Sequence, residues 1–159
     1  DSHELLPNTP VANDSAPAKV TVSAVRGVTL HELPHIKDMR GSLSVGEFER
    51  SIPFLAKRYF LVFDVPSREI RGEHANRNCR LFLICIKGSC AVVADDGTQR
   101  REFLLDRPNL GIHLPAMVWG IQYKYSSDAV LLVFASEYYD PGDYVRDYSE
   151  FKALVDNAR

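Results

Sequence analysis

The sequence is short of the residues that cross-link or metallate a chain. Its three cysteines, Cys79, Cys85 and Cys90, are odd in number, and none forms a C-x-x-C pair. That argues against a disulfide framework and a thiolate metal cluster, and for free thiols in a reducing cytoplasm. No run of about 20 apolar residues occurs, so no membrane-spanning helix is expected. Neither charge dominates. The 19 Lys and Arg against 21 Asp and Glu leave a net charge of −2, which gives nucleic acid no electrostatic footprint. An initiator methionine and a signal-peptide pattern are both missing from Asp1-Ser2-His3-Glu4-Leu5-Leu6. The chain therefore reads as a fragment, or as one with added leading residues.

What is present, 159 residues, suffices for one domain with a sizeable core. Residues 1–19 are rich in Pro, Asn, Ser and Ala and read as a flexible tail or linker; 20–159 read as the domain. Val20 to Val28 is β-branched and predicts a first strand. Thr29 to Ile36 contains Pro34 and is at best an edge strand, which leaves His31 and His35 on the surface or in a loop. Leu43 to Phe48 alternates as a half-buried strand. Lys57 to Val65 is a strong aromatic strand stopped by Pro66, and Ser67 to Ile70 is a loop.

Further strands follow at Leu81 to Ile86, Ala91 to Ala94, Arg101 to Leu105 and Ala129 to Ala135, with a hairpin signal at Asp95-Asp96-Gly97-Thr98. Gly111 to Tyr123 reads as two short strands around Pro115. Phe151, Leu154 and Val155 have helical spacing, so one short helix ends the chain. Many short strands with turn signals every ten residues or so predict an all-β fold. The best fit is a cupin-type jelly-roll β-barrel with a short C-terminal helix.

The organising stretch is Arg71-Gly72-Glu73-His74-Ala75-Asn76, which runs on into the apolar strand and ends at Gly88. His74 and Asn76 are two apart, so on a strand both point to one face. Two readings stay open: the wall of a ligand cavity, or a strand-end histidine at a barrel rim. A cupin metal site takes H-x-H, a later glutamate and a third histidine. Here Asn76 stands at the second histidine, Leu81 at the glutamate, and Gly120 follows Trp119 where a histidine is wanted. One imidazole does not make a stable divalent site, so no metal is expected and the chemistry is acid–base. His113 belongs to the barrel wall or the surface.

Several segments are shared, in order, with a known family. They are Ile52-Pro53-Phe54 with Lys57-Arg58, Arg71 to Ala75, Asp95-Asp96-Gly97, Pro115 to Trp119, Ala135 to Asp140 and Asp143 to Tyr148. Over about residues 28–152 the chain resembles the nucleotide-sugar 3,4-ketoisomerases, the WxcM-like or FdtA-like enzymes. The resemblance implies a cupin-fold homodimer that needs no metal and no cofactor. It moves the keto group of a dTDP-4-keto-6-deoxyhexose from C4 to C3, in the synthesis of 3-amino sugars for glycan chains and antibiotics.

It also implies roles. His74 is the first histidine of the family's R-G-x-H-A-H motif, and Asn76 replaces the second, an amide that hydrogen-bonds but does not shuttle protons. Leu81 stands at a family glutamine, and Gly120-Ile121 at a dipeptide begun by Arg or His. Turnover is therefore expected to be weakened more than binding. The alternatives are a non-catalytic dTDP-sugar binding domain of a larger protein, or an epimerase on the same substrate. Arg58, Arg71 and Arg146 match family arginines suited to a diphosphate; a surface salt bridge is the other reading of each. Trp119 and Gln122 complete the expected substrate-binding set, with Trp119, like Tyr123, open to a core role. Arg77, Arg100 and Arg101 read as solvated, and the strand around Phe60 and Phe63 as a dimer edge.

Overall fold

Alternation along the strands sorts the side chains into an inside and an outside. The structure, a computed structural model, describes residues 18–66 and 70–159. Residues 1–17 of the expected tail and Ser67 to Glu69 of the expected loop lie outside the described residues. The first half of the chain forms β1 (Lys19–Val22), β2 (Thr29–Glu32), β3 (His35–Asp38), β4 (Gly41–Ser44), β5 (Arg58–Phe63), β6 (Arg71–Asn76) and β7 (Leu81–Lys87). The second half forms β8 (Cys90–Asp95), β9 (Arg100–Leu105), β10 (Leu110–Leu114), β11 (Trp119–Tyr123), β12 (Val130–Ala135) and β13 (Tyr144–Val145). A helix, α1 (Tyr148–Asn157), follows.

Two antiparallel sheets face each other as a jelly-roll sandwich. One has the order β1-β2-β10-β7-β12-β5, the other β13-β6-β11-β8-β9. From the first sheet Leu81, Leu83 and Cys85 of β7 and Leu131, Val133 and Ala135 of β12 point inward. They meet Cys90, Val92 and Ala94 of β8 from the second. Each fully buried leucine or valine among them contributes roughly 1.5–3 kcal/mol. The three cysteines are free and buried.

The outer face of the first sheet carries a second cluster, where Ile52 and Phe54 cover Leu33, Phe82 and Ile84. This cover corrects two expectations. β2 is no edge strand, for it pairs with both β1 and β10. Pro34 lies beyond the last paired residue, Glu32, so its missing N–H interrupts no ladder. His31 is buried rather than exposed. Its Nδ1 lies 3.1 Å from the Ser51 carbonyl and its Nε2 2.7 Å from Thr29 Oγ1. His113, on the adjacent strand β10, is buried under Phe54, and its Nε2 accepts a 3.3 Å hydrogen bond from Arg80 Nε. Leu43 to Ser44 belongs to an exposed β3–β4 hairpin and not to a half-buried strand.

The C-terminal helix docks on the other sheet. Asp147 caps it by accepting from the Glu150 N–H, and Phe151 and Val155 bury one stripe. Buried Asp95 fastens it, accepting from Tyr148 Oη at 2.7 Å and from Arg100 Nε at 2.9 Å.

Burial, then the Arg80 charge and then His31, push the His113 ring down to about 4; burial also lowers His31. An unfolded histidine titrates near 6.5. The folded state therefore resists protonation that the unfolded state accepts, so stability is full above about pH 6.5 and is lost as pH falls toward 4. Urea unfolding at stepped pH is expected to show a loss across that window to which His113 alone contributes on the order of 3 kcal/mol. His113→Gln, which does not titrate, is expected to flatten the slope.

Candidate active site

β6 enters the sandwich with a defect that shapes everything after it. Gly120 of β11 pairs with His74, but Gln122 pairs with Arg71, so two β6 residues, Gly72 and Glu73, oppose Ile121 alone on β11. The extra residue is a bulge, opened by Gly72 at φ +71°. Partners directly opposite on antiparallel strands share a face. The bulge therefore turns Arg71 to the same side as His74, although a three-residue spacing would separate them on a regular strand. A Cβ at Gly72 would fall onto the Gln122 side-chain amide, so the site requires glycine for both backbone and space.

The resulting cavity has a volume of about 240 Å³. Phe60, Val62, Leu81, Leu83 and Val133 form its apolar wall; His74, Gln122, Tyr144, Arg71, Glu73 and Arg146 supply the polar groups. Enclosed sites for drug-sized ligands run ~300–1,000 Å³. This space seats one ring-sized group and leaves the remainder of a longer ligand at the arginines of the rim.

Asn76 organises the interior. Buried Asp143 accepts from Asn76 Nδ2 at 3.0 Å, from the Asn78 N–H at 2.8 Å and from the Cys79 N–H at 3.2 Å. A carboxylate only accepts, so the amide nitrogen faces Asp143 and Asn76 Oδ1 faces His74, 3.2 Å from its Nε2. Nε2 then carries the proton, and the free lone pair of the neutral ring is on Nδ1. Burial, followed by the Arg146 charge, pushes His74 down to about 4, against the Asn76 hydrogen bond and Asp143, which raise it. At neutral pH it is an uncharged base.

Tyr144, paired with Asn76 across β13 and β6, is the side chain that sequence reasoning passed over. Its ring meets His74 edge-on at 4.7 Å between centroids, and Arg146 lies 4.5 Å over its face. Arg58 Nη2 donates to its hydroxyl at 3.4 Å. The available signal was parity: Tyr144 and Arg146 are two apart in a segment already singled out.

The structure thus brings His74, Asn76, Arg71, Arg146 and Gln122 to one place. Arg58 stands just behind, held by the Glu137 carbonyl at 3.1 Å and reaching the cavity through Tyr144. Trp119 is on the opposite face of β11 from Gln122, stacked on Tyr148 at 5.4 Å and packed on Phe151 under α1. Arg77 is exposed and paired with Glu150. Asn76, Leu81 and Gly120, the three departures from the resembled pattern, line one void of about 10 Å³ beside His74, room for about one water. Among the described residues no group of three or more His, Cys, Asp and Glu side chains is placed to hold a metal ion.

Comparison with known proteins gives consistent matches. Residues 26–156 match the family model described as "FdtA: WxcM-like, C-terminal". The TDP-4-oxo-6-deoxy-alpha-D-glucose-3,4-oxoisomerase of Aneurinibacillus thermoaerophilus is 42% identical over 120 residues, covering 76% of this chain and 86% of that protein. A 3,4-ketoisomerase from Helicobacter canadensis has a similar structure, with TM-score 0.79 and 35% identity, covering 82% of this chain and 98% of its own. A histidine-to-asparagine mutant of the 3,4-ketoisomerase QdtA from Thermoanaerobacterium thermosaccharolyticum, solved with TDP-4-keto-6-deoxyglucose, matches with TM-score 0.81 and 29% identity, covering 84% and 96%.

Gly72→Ala is expected to cost about 1–2 kcal/mol from the left-handed backbone alone, and more from displacement of Gln122. Denaturant unfolding measures the first, and titration with TDP is expected to show weaker binding as Arg71 is re-aimed.

Proposed function

This chain belongs to the FdtA family of WxcM-like C-terminal domains, and on that footing we propose that it is a sugar-nucleotide 3,4-ketoisomerase. Its substrate is dTDP-4-keto-6-deoxyglucose and its chemistry is acid–base, through an enediol. The observation that carries this reading is a half-buried, neutral imidazole in a ring-sized cavity with guanidinium groups at the rim.

The geometry accounts for the steps. The hydrogen on C3 is acidified by the neighbouring ketone, and a neutral base must remove it. His74 is neutral because burial and Arg146 keep it so. Asn76 and Asp143 hold its tautomer. The proton is then returned at C4. Arg71 and Arg146 meet the diphosphate, whose paired oxygens suit the guanidinium fork, and Gln122 hydrogen-bonds the sugar. Trp119 supports β11 from behind instead of touching the ligand. The 3-keto product presents the carbonyl that an aminotransferase needs, which fits the synthesis of 3-amino sugars. Asn76 orients His74 but takes no proton of its own, so turnover is slow. Losing one member of an acid–base pair costs about 10²–10⁴-fold.

Two copies pair through the outer face of the six-stranded sheet. β5 is its edge strand, bonded to β12 alone, and Tyr59, Leu61, Phe63 and Ile86 are exposed on that face. Among the described residues no helix is long and apolar enough to cross a membrane, and three unpaired thiols agree with a cytoplasmic setting.

Incubation with dTDP-4-keto-6-deoxyglucose in deuterated water is expected to place deuterium on the sugar and to give the 3-keto product by NMR. His74→Ala abolishes both. Asn76→His is expected to raise kcat by about 10²-fold or more. Binding of TDP without any exchange would leave a binding domain in place of an enzyme. In sedimentation the protein is expected to run as a dimer, and Leu61→Glu with Phe63→Glu as a monomer.

A further inference from the structure

Moving a ketone along a ring requires two kinds of proton transfer. One is between carbon atoms: a hydrogen leaves C3 and one arrives at C4. The other is between oxygen atoms: the C4 carbonyl oxygen gains a proton as the enediol forms, and O3 loses one as the new carbonyl forms. His74 serves the carbon side. While it holds the proton from C3 it has no free lone pair with which to serve the oxygen side. Asn76, fixed between His74 and Asp143, does not exchange protons either.

The geometry points to Tyr144 as the catalytic group that carries the oxygen-bound proton. This rests on the isomerase reading and extends it. Among the described residues Tyr144 is the one phenol on the cavity wall; the other aromatic there, Phe60, has no hydroxyl. Its ring contacts His74 at 4.7 Å, so both groups reach the same bound ring. Arg58 Nη2 lies 3.4 Å from the hydroxyl oxygen, where negative charge develops when the proton leaves. The ionisable groups facing Tyr144 are His74, Arg71 and Glu73 from β6, Arg58 from β5, and Arg146 and Tyr139 from its own segment. Guanidinium groups outnumber carboxylates there, and Arg58 is held in place by the Glu137 carbonyl and by the rings of Phe60 and Tyr139.

The balance closes without a further reactant. In the first half, His74 takes the C3 proton, the C–H pair becomes the C3–C4 double bond, the carbonyl π pair moves to O4, and Tyr144 gives O4 its phenolic proton. In the second half, the phenolate takes the proton from O3, the O–H pair becomes the C3 carbonyl, and the double-bond pair takes the proton from His74 at C4. Both side chains end as they began.

The test is Tyr144→Phe, followed by a fluorinated tyrosine at 144. The phenylalanine variant is expected to keep the unfolding midpoint and to bind TDP within about threefold, while product formation falls about 10²–10⁴-fold. The fluorinated residue, a stronger acid, is expected to move the alkaline limb of kcat to lower pH, which a purely structural ring would not do. Turnover of Tyr144→Phe within about threefold of wild type, an unmoved alkaline limb, or a comparable loss confined to Glu73→Gln overturns the assignment. A wild-type protein that binds TDP but converts nothing overturns the isomerase reading, and with it the role of Tyr144.

Discussion

Strand geometry puts residues two apart on one face and residues three apart on opposite faces. The active site depends on breaking that rule once. The bulge at Gly72 lets Arg71 and His74 face the same cavity, so a guanidinium and an imidazole come from a single strand. Glycine is demanded twice over, by a left-handed backbone and by the approach of Gln122. Upstream of the bulge the strand faces the rim; downstream it carries Asn76 into the core.

The buried Asp143 carboxylate is the second fixed point. Three donors converge on it, two of them backbone N–H groups just beyond β6. It anchors the end of that strand and sets the rotamer of Asn76 in the same contact. A histidine at position 76 could share that carboxylate. Asparagine keeps the hydrogen bonds but not the proton. Leu81 and Gly120 meet Asn76 around one small void beside His74. Beside it, Arg58 donates to the Tyr144 hydroxyl and Arg146 lies over the Tyr144 ring.

The outer face of the six-stranded sheet follows a different logic. His31, His113 and Arg80 are polar groups on a face that alternation would leave to solvent, and the 52–54 segment closes over them with Phe54. Arg80 contributes both a hydrogen bond to His113 and a charge that keeps that ring neutral. Further along the same face the cover stops, and Tyr59, Leu61 and Phe63 remain exposed.

Much of this was legible before the fold was known. Turn signals and alternation placed β7, β8, β9 and β12 within a residue or two and β10 and β11 as a pair around Pro115, because buried strands must be apolar and hairpins need Gly, Asp or Pro. The helical stripe at Phe151 and Val155 was also readable, since it rests on local spacing, whereas the arginines at 71 and 146 were named from the family resemblance. Three things were not. The burial of His31 depends on a segment 20 residues away folding over it. Trp119 and Gln122 lie on opposite faces of one strand, and spacing alone does not say which face is the inner one. Tyr144 and Asp143 become part of the site only when β13 pairs with β6, a contact between residues more than 60 positions apart. The chain by itself determined what each strand could bury, because that is a property of neighbours in sequence; only the tertiary structure decided which proton-carrying groups meet, because that depends on which strand edges hydrogen-bond and where one extra residue shifts the register.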